Sequence, residues 1–151
     1  MSTAAQGNLA GNLVIASNDP VTPSKTVALS GIVLDHSEPS LDSLATVPSD
    51  TLDFGTRDPG QFPDSSARVF NVGWVSLEQA SLQVTSAAIT GGGGRFSIPG
   101  GFTPFSVTLP GNVPVSFDDT GATEDPTYEA TLTLPCADPA LPGATPRPAR
   151  G

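Results

Sequence analysis

Residues that carry chemistry are scarce in this chain of 151 residues, and each scarcity excludes something. A single cysteine, Cys136, rules out an internal disulfide framework and leaves the redox compartment open. With a single histidine, His36, it supplies too few soft ligands for a metal centre of thiolates and imidazoles. Lys25 is the one lysine, and six basic residues stand against fifteen acidic ones, for a formal net charge of −9. Such a surface has no basic footprint for nucleic acid or an anionic bilayer. No stretch is long and apolar enough to span a membrane. The opening MSTAAQGNLAGNL has neither the basic start nor the apolar centre of a signal peptide. The low-lysine, acidic, Ser/Thr/Gly/Pro-rich composition nevertheless suits a secreted or cell-surface protein, whose signal would then lie upstream.

Glycine and proline are abundant, sixteen of each, but they sit between alternating runs and so punctuate strands rather than form a low-complexity tract. In residues 128–134 one face carries Tyr128, Ala130, Leu132 and Leu134 and the other Glu129, Thr131 and Thr133, a period of two. Val113, Val115 and Phe117 alternate with polar or proline positions, as do Phe105, Val107 and Leu109, and Leu82 with Val84. Shorter runs lie at Leu52 and Phe54, at residues 67–72, and at Phe96 with Ile98. Pro114 points to an edge strand or a bulge, because proline cannot donate to a ladder. No helical period is sustained. The expectation is an all-β, immunoglobulin-like antiparallel β-sandwich with an additional N-terminal β-hairpin. Tyr128 is placed to close a corner of such a sandwich through its hydroxyl.

One stretch occurs twice. Residues 13–23 read LVIASNDPVTP and residues 132–142 read LTLPCADPALP, an offset of 132 − 13 = 119. After the first copy comes a clear strand, KTVALSGIV at 25–33; after the second comes ALPGATPRPARG, with no strand signal. The chain therefore reads as cut out of phase from a tandem repeat. Residues 1–34 are expected to form the terminal hairpin of a preceding repeat, 35–42 a linker, 43–136 a sandwich lacking its last strand, and 137–151 a Pro/Gly-rich tail. Val27 and Leu29 are expected to pair with the open sandwich, by folding back or by donation to a neighbouring molecule.

The motifs TLDFGT at 51–56, VFNVG at 69–73, SNDP at 17–20 and VALSG at 27–31 resemble the ASPM/SPD-2/Hydin group of immunoglobulin-like repeats, including the bacterial choice-of-anchor D type. The resemblance covers nearly the whole chain. It implies a non-catalytic β-sandwich module, strung along exported proteins in bacteria, whose partners are neighbouring repeats or other protein. The missing closing strand after Pro142 departs from that pattern.

Candidate sites are few, and none is expected to be catalytic or to bind a cofactor. His36 lies in a polar segment without a nucleophile motif around it. Cys136 has no basic neighbour to lower its pKa. Asp118, Asp119, Glu124 and Asp125 offer hard oxygens for calcium, although their spacing matches no complete calcium motif and a solvated acidic loop is the ordinary explanation. Asp35, Glu38 and Asp42 form a weaker set of the same kind. GGGGR at 91–95 lacks the Lys-Ser/Thr and helix of a phosphate loop. A carbohydrate- or protein-binding sandwich is the alternative function. It would need exposed aromatics, and Trp74, Phe62, Phe102 and Tyr128 are the candidates, Trp74 being better suited to core or rim packing.

Overall fold

The computed structural model of the chain describes residues 7–73, 79–123 and 127–139. Eleven strands occur among them and no α-helix: β1 Gly7–Ala16, β2 Ser24–Val33, β3 Pro39–Ser40, β4 Ser65–Asn71, β5 Leu82–Val84, β6 Ala88–Gly91, β7 Phe96–Ser97, β8 Phe105–Val107, β9 Gly111–Phe117, β10 Ala130–Thr133 and β11 Cys136–Ala137. All ladders between these strands are antiparallel, so the expected all-β, antiparallel class is the observed one.

Two sheets enclose the core. One has the order β3-β4-β9-β7 and the other β11-β5-β8. Alternation along the strands puts Val69 of β4, Leu82 and Val84 of β5, and Val107 of β8 into a single buried cluster between the sheets. Val113 and Val115 of β9 are buried too, with Asn112 and Pro114 between them in solvent. Leu82 is 0% exposed, and burying a leucine fully stabilises by roughly 1.5–3 kcal/mol relative to leaving it in water. Pro114 behaves as its chemistry requires. β7 pairs β9 only at Phe117 and Ser116, so at position 114 the strand is locally an edge.

β10 and β11 are two parts of one edge. Thr133 lies opposite Ala88 of β6, and Cys136 opposite Val84 of β5. Residues 134 and 135 on one side thus face 85, 86 and 87 on the other, one extra residue, which is a β-bulge. The extra residue lies in segment 85–87, opposite Pro135, whose missing N–H could not have continued the ladder. Thr85 closes it by donating its backbone N–H (2.9 Å) and its hydroxyl (3.1 Å) to the Pro135 carbonyl.

The N-terminal hairpin is an independent two-stranded sheet in which every residue of β2 is paired with β1. Leu13 opposes Val27 and Gly11 opposes Leu29. Residues 25–33 therefore lie in this hairpin and are not folded back into a ladder with the sandwich. Its loop is held by Asp19, whose carboxylate accepts from Val21 N–H (2.9 Å) and the Thr22 hydroxyl (2.7 Å), and by the Ser17 N–H bond to Pro23 (2.8 Å).

Other expectations are corrected. Residues 51–55 form no strand: Asp53 turns the chain by accepting from Gly55 N–H (2.7 Å), and Gly55 has φ +72°. The alternating run 128–134 is a strand only over Ala130–Thr133. Its parity is nearly as expected, with Tyr128, Leu132 and Leu134 half-buried and Glu129, Thr131 and Thr133 exposed, but Ala130 is exposed as well. β6 carries no alternation that marks it in the sequence.

Candidate functional site

Segment 35–42, expected to be a linker, is built into the sandwich. Asp35 forms a parallel bridge with Gln79, and Pro39 and Ser40 pair with Asn71 and Phe70 as β3. Three polar side chains grip it. Asn71 accepts Glu38 N–H at 2.8 Å and donates to the Ala80 carbonyl at 3.1 Å. Gln79 donates to the carbonyls of His36 and Val72, both at 3.1 Å. Asp138 accepts from the Ser37 hydroxyl, from Ser37 N–H at 3.4 Å, and faces His36 Nδ1 at 3.0 Å. Ser37 is 0% and Asp138 3% exposed. These buried groups find partners within the chain, apart from Gln79 Oε1, which is buried with none among the described residues.

Asp138 belongs to the second sequence copy, in the place that Asp19 holds in the first. Asp19 serves its own hairpin loop; Asp138 instead holds the chain that leads in from the hairpin. The expected start of the tail at residue 137 is thus too early, because Ala137 belongs to β11 and Asp138 to the seat of segment 35–38.

A serine, a histidine and an aspartate meet here, but not as a nucleophile and its base. A catalytic triad passes the serine proton to the histidine, which the aspartate orients from the far side. Here the Ser37 hydroxyl is spent on the carboxylate, and it is buried away from any substrate. The Cys136 thiol is pushed above its ordinary range by burial and, to a lesser extent, by the Asp138 charge, which disfavours the nucleophilic thiolate.

The described part of the acidic loop, residues 118–123, is organised around a cation that the chain itself supplies. Arg95 donates to the carbonyls of Asp118 (3.0 Å), Thr120 (3.2 Å) and Gly121 (3.3 Å), and its guanidinium lies 4.7 Å from the centroid of the Tyr128 ring. The Asp118 carboxylate accepts Thr120 N–H at 2.9 Å, and these bonds to Thr120 hold it below the usual carboxylate range. The Asp119 carboxylate accepts Gly60 N–H. Asp118 and Asp119 thus each have one carboxylate oxygen engaged within the chain. Glu124 and Asp125 lie outside the described residues. In segment 35–42, Asp35, Glu38 and Asp42 likewise accept from His36 N–H, the Thr46 hydroxyl, and the Leu44 and Ala45 N–H groups.

The aromatic candidates form clusters rather than a row. Phe62 and Tyr128 pack on Phe117 at 4.9 and 5.6 Å, and Phe102 packs on Phe105 at 6.0 Å. The Tyr128 hydroxyl accepts Thr123 N–H at 3.4 Å, five residues upstream, the corner contact expected of it. Gly91, Gly92, Gly93 and Gly94 all have positive φ, from 61° to 86°, and carry the chain from β6 to β7 as a tight left-handed turn that side chains would strain. Trp74 lies outside the described residues.

What remains is the outer edge of β10 and β11, which has no ladder neighbour among the described residues, and the hairpin face that carries Leu13 (49% exposed), Ile15 (51%), Val27 (45%) and Leu29 (45%). Sequence reasoning singled out this edge and Val27 and Leu29. It missed the Asp138 seat, although the aspartate shared by both copies was the signal. No family model matches the chain, and neither a curated protein nor a solved structure matches it.

Proposed function

We propose that this chain is a non-catalytic structural or interaction module of a tandem-repeat surface or secreted protein, immunoglobulin-like in its sandwich and similar to the ASPM/SPD-2/Hydin repeats. The observation that carries the reading is the pairing of β1 with β2. The stretch that β10 and β11 share with β1 lies beside β2 in its first copy, whereas in its second copy it pairs with β6 and β5 on one side and has no ladder neighbour among the described residues on the other. A repeat unit counted in phase would end with a β2-type strand beside β11. The seat of segment 35–38 on Asp138 supports the same reading, since it fixes how one unit leads into the next. Within this reading the module spaces neighbouring repeats, and its partners are protein.

The test supplies the strand. A chain in which residues 21–33 are repeated directly after Pro139 should melt several degrees higher than the original. An unchanged melting temperature would refute the repeat reading. The alternative of carbohydrate binding gains no support from Phe62, Phe102 or Tyr128, whose rings are half-buried and packed on Phe117 or Phe105.

A further inference from the structure

The open edge and the hairpin complement each other position by position. With the offset of 119 residues, Leu132 corresponds to Leu13 and Ala130 to Gly11. In the hairpin, Leu13 opposes Val27 and Gly11 opposes Leu29. Both copies thus present a leucine for Val27 and a small residue for Leu29. The side chains that would meet are half-buried or exposed on each side: Leu132 and Leu134 on the sandwich, Val27 and Leu29 on the hairpin. A two-stranded sheet with open faces is marginal in water, so β2 gives up little by acquiring a better neighbour. The sequence after Pro139, ALPGATPRPARG, carries prolines at 142, 146 and 148 and lacks the alternation of residues 25–33.

Folding the full length of β2 back onto this edge within one molecule is out of reach. An antiparallel partner in the register of β1 places Gly31 opposite Tyr128, since 31 + 128 equals 27 + 132. Ser37, however, is tied to Asp138, ten residues further along that edge. Ten residues of strand cover about 33 Å. The six residues from Gly31 to Ser37 span at most about 22 Å. The seat on Asp138 therefore forbids a ladder of β2 that runs to Gly31 in cis.

Resting on the repeat-module reading, we infer that the partner of the β10–β11 edge is a second copy of this chain, whose β2 adds to it antiparallel with Val27 opposite Leu132 and Leu29 opposite Ala130. The contact is head-to-tail, so it propagates into open chains of molecules unless its rotation closes a ring. Every subunit then donates one strand and receives one. The net charge of −9 opposes this contact, and raising the salt concentration screens that repulsion and lengthens the chains.

Crosslinking in register tests the inference on the full chain. In a Cys136→Ser background, serine being what the first copy has at the matching Ser17, Ala28→Cys and Thr131→Cys are combined; both sites are exposed. They are opposite each other in the inferred register, as 28 + 131 equals 159. A short bismaleimide should give ladders of covalent multimers, whereas Ser30→Cys with Thr133→Cys, four residues out of register, should give at least tenfold less. The same chain with residues 21–33 repeated after Pro139 should sediment as a monomer, because its edge is occupied. Crosslinks confined within monomers, or equal yields from both pairs, would overturn the inference. So would a monomer at all concentrations in sedimentation velocity. If that monomer is nonetheless stabilised by the appended strand, the repeat-module reading stands and only the exchange between molecules is refuted.

Discussion

His36 and Asp138 meet at 3.0 Å, imidazole Nδ1 to carboxylate Oδ2, across 102 residues of chain. The contact joins the segment leading in from the hairpin to the turn at the end of β11. Asp138 also takes the hydroxyl and the N–H of Ser37. One carboxylate thus sets where the hairpin leaves the sandwich.

Replacing that carboxylate tests its weight. Asp138→Ala strips a buried hydroxyl and a buried N–H of their acceptor, and each such loss costs about 1–3 kcal/mol. Urea denaturation should show a midpoint lowered accordingly. Asp19→Ala, at the matching place in the exposed hairpin loop, should leave the midpoint of the sandwich where it was. Equal effects at the two positions would contradict the different roles assigned to them.

Core and edge should respond differently to truncation. Leu82→Ala removes a fully buried side chain from the cluster with Val69, Val84 and Val107 and should cost about 2–5 kcal/mol. Leu132→Ala should cost clearly less, because its side chain is half-buried while the β10 edge is uncovered. With residues 21–33 repeated after Pro139, the cost at Leu132 should rise toward that at Leu82. Calorimetry of the original chain, its two variants, and the extended chain with and without Leu132→Ala measures the difference.

Calcium at millimolar concentration should leave the melting temperature unchanged, since the Arg95 guanidinium already holds the carbonyls of Asp118, Thr120 and Gly121. A rise of several degrees would show that the loop rearranges around the ion. Acid should loosen the same loop. The folded state holds the Asp118 carboxyl below its ordinary value of 3.8, chiefly through its bonds to Thr120. Its contribution is therefore complete above that value and is lost as the pH falls through the lowered one. The amide of Thr120, followed by NMR below pH 4, should report the loss.

The strands that were legible in the sequence are those whose alternation comes from burial on one face, such as Leu82 with Val84 and Val113 with Val115. β6 was not legible, because Ala88–Gly91 has little side chain to alternate and becomes a strand by pairing with β10. Leu52 and Phe54 mimicked a strand. Phe54 instead packs its ring on Phe96 and Phe117, at 5.7 and 6.3 Å, from a turning chain. The Arg95 site was hidden for another reason: its oxygens are backbone carbonyls, which every residue has, and only the fold brings them together.

The grip on segment 35–38 also decides how the module bears tension. A pull on the hairpin end reaches the sandwich where Asn71, Gln79 and Asp138 all hold the chain. Those bonds and the β3 pairs are loaded together and must yield together, whereas the strands β1 and β2 have only each other. Stretching would therefore open the hairpin first and leave the sandwich seated, giving the module a compliant end and a stiff body.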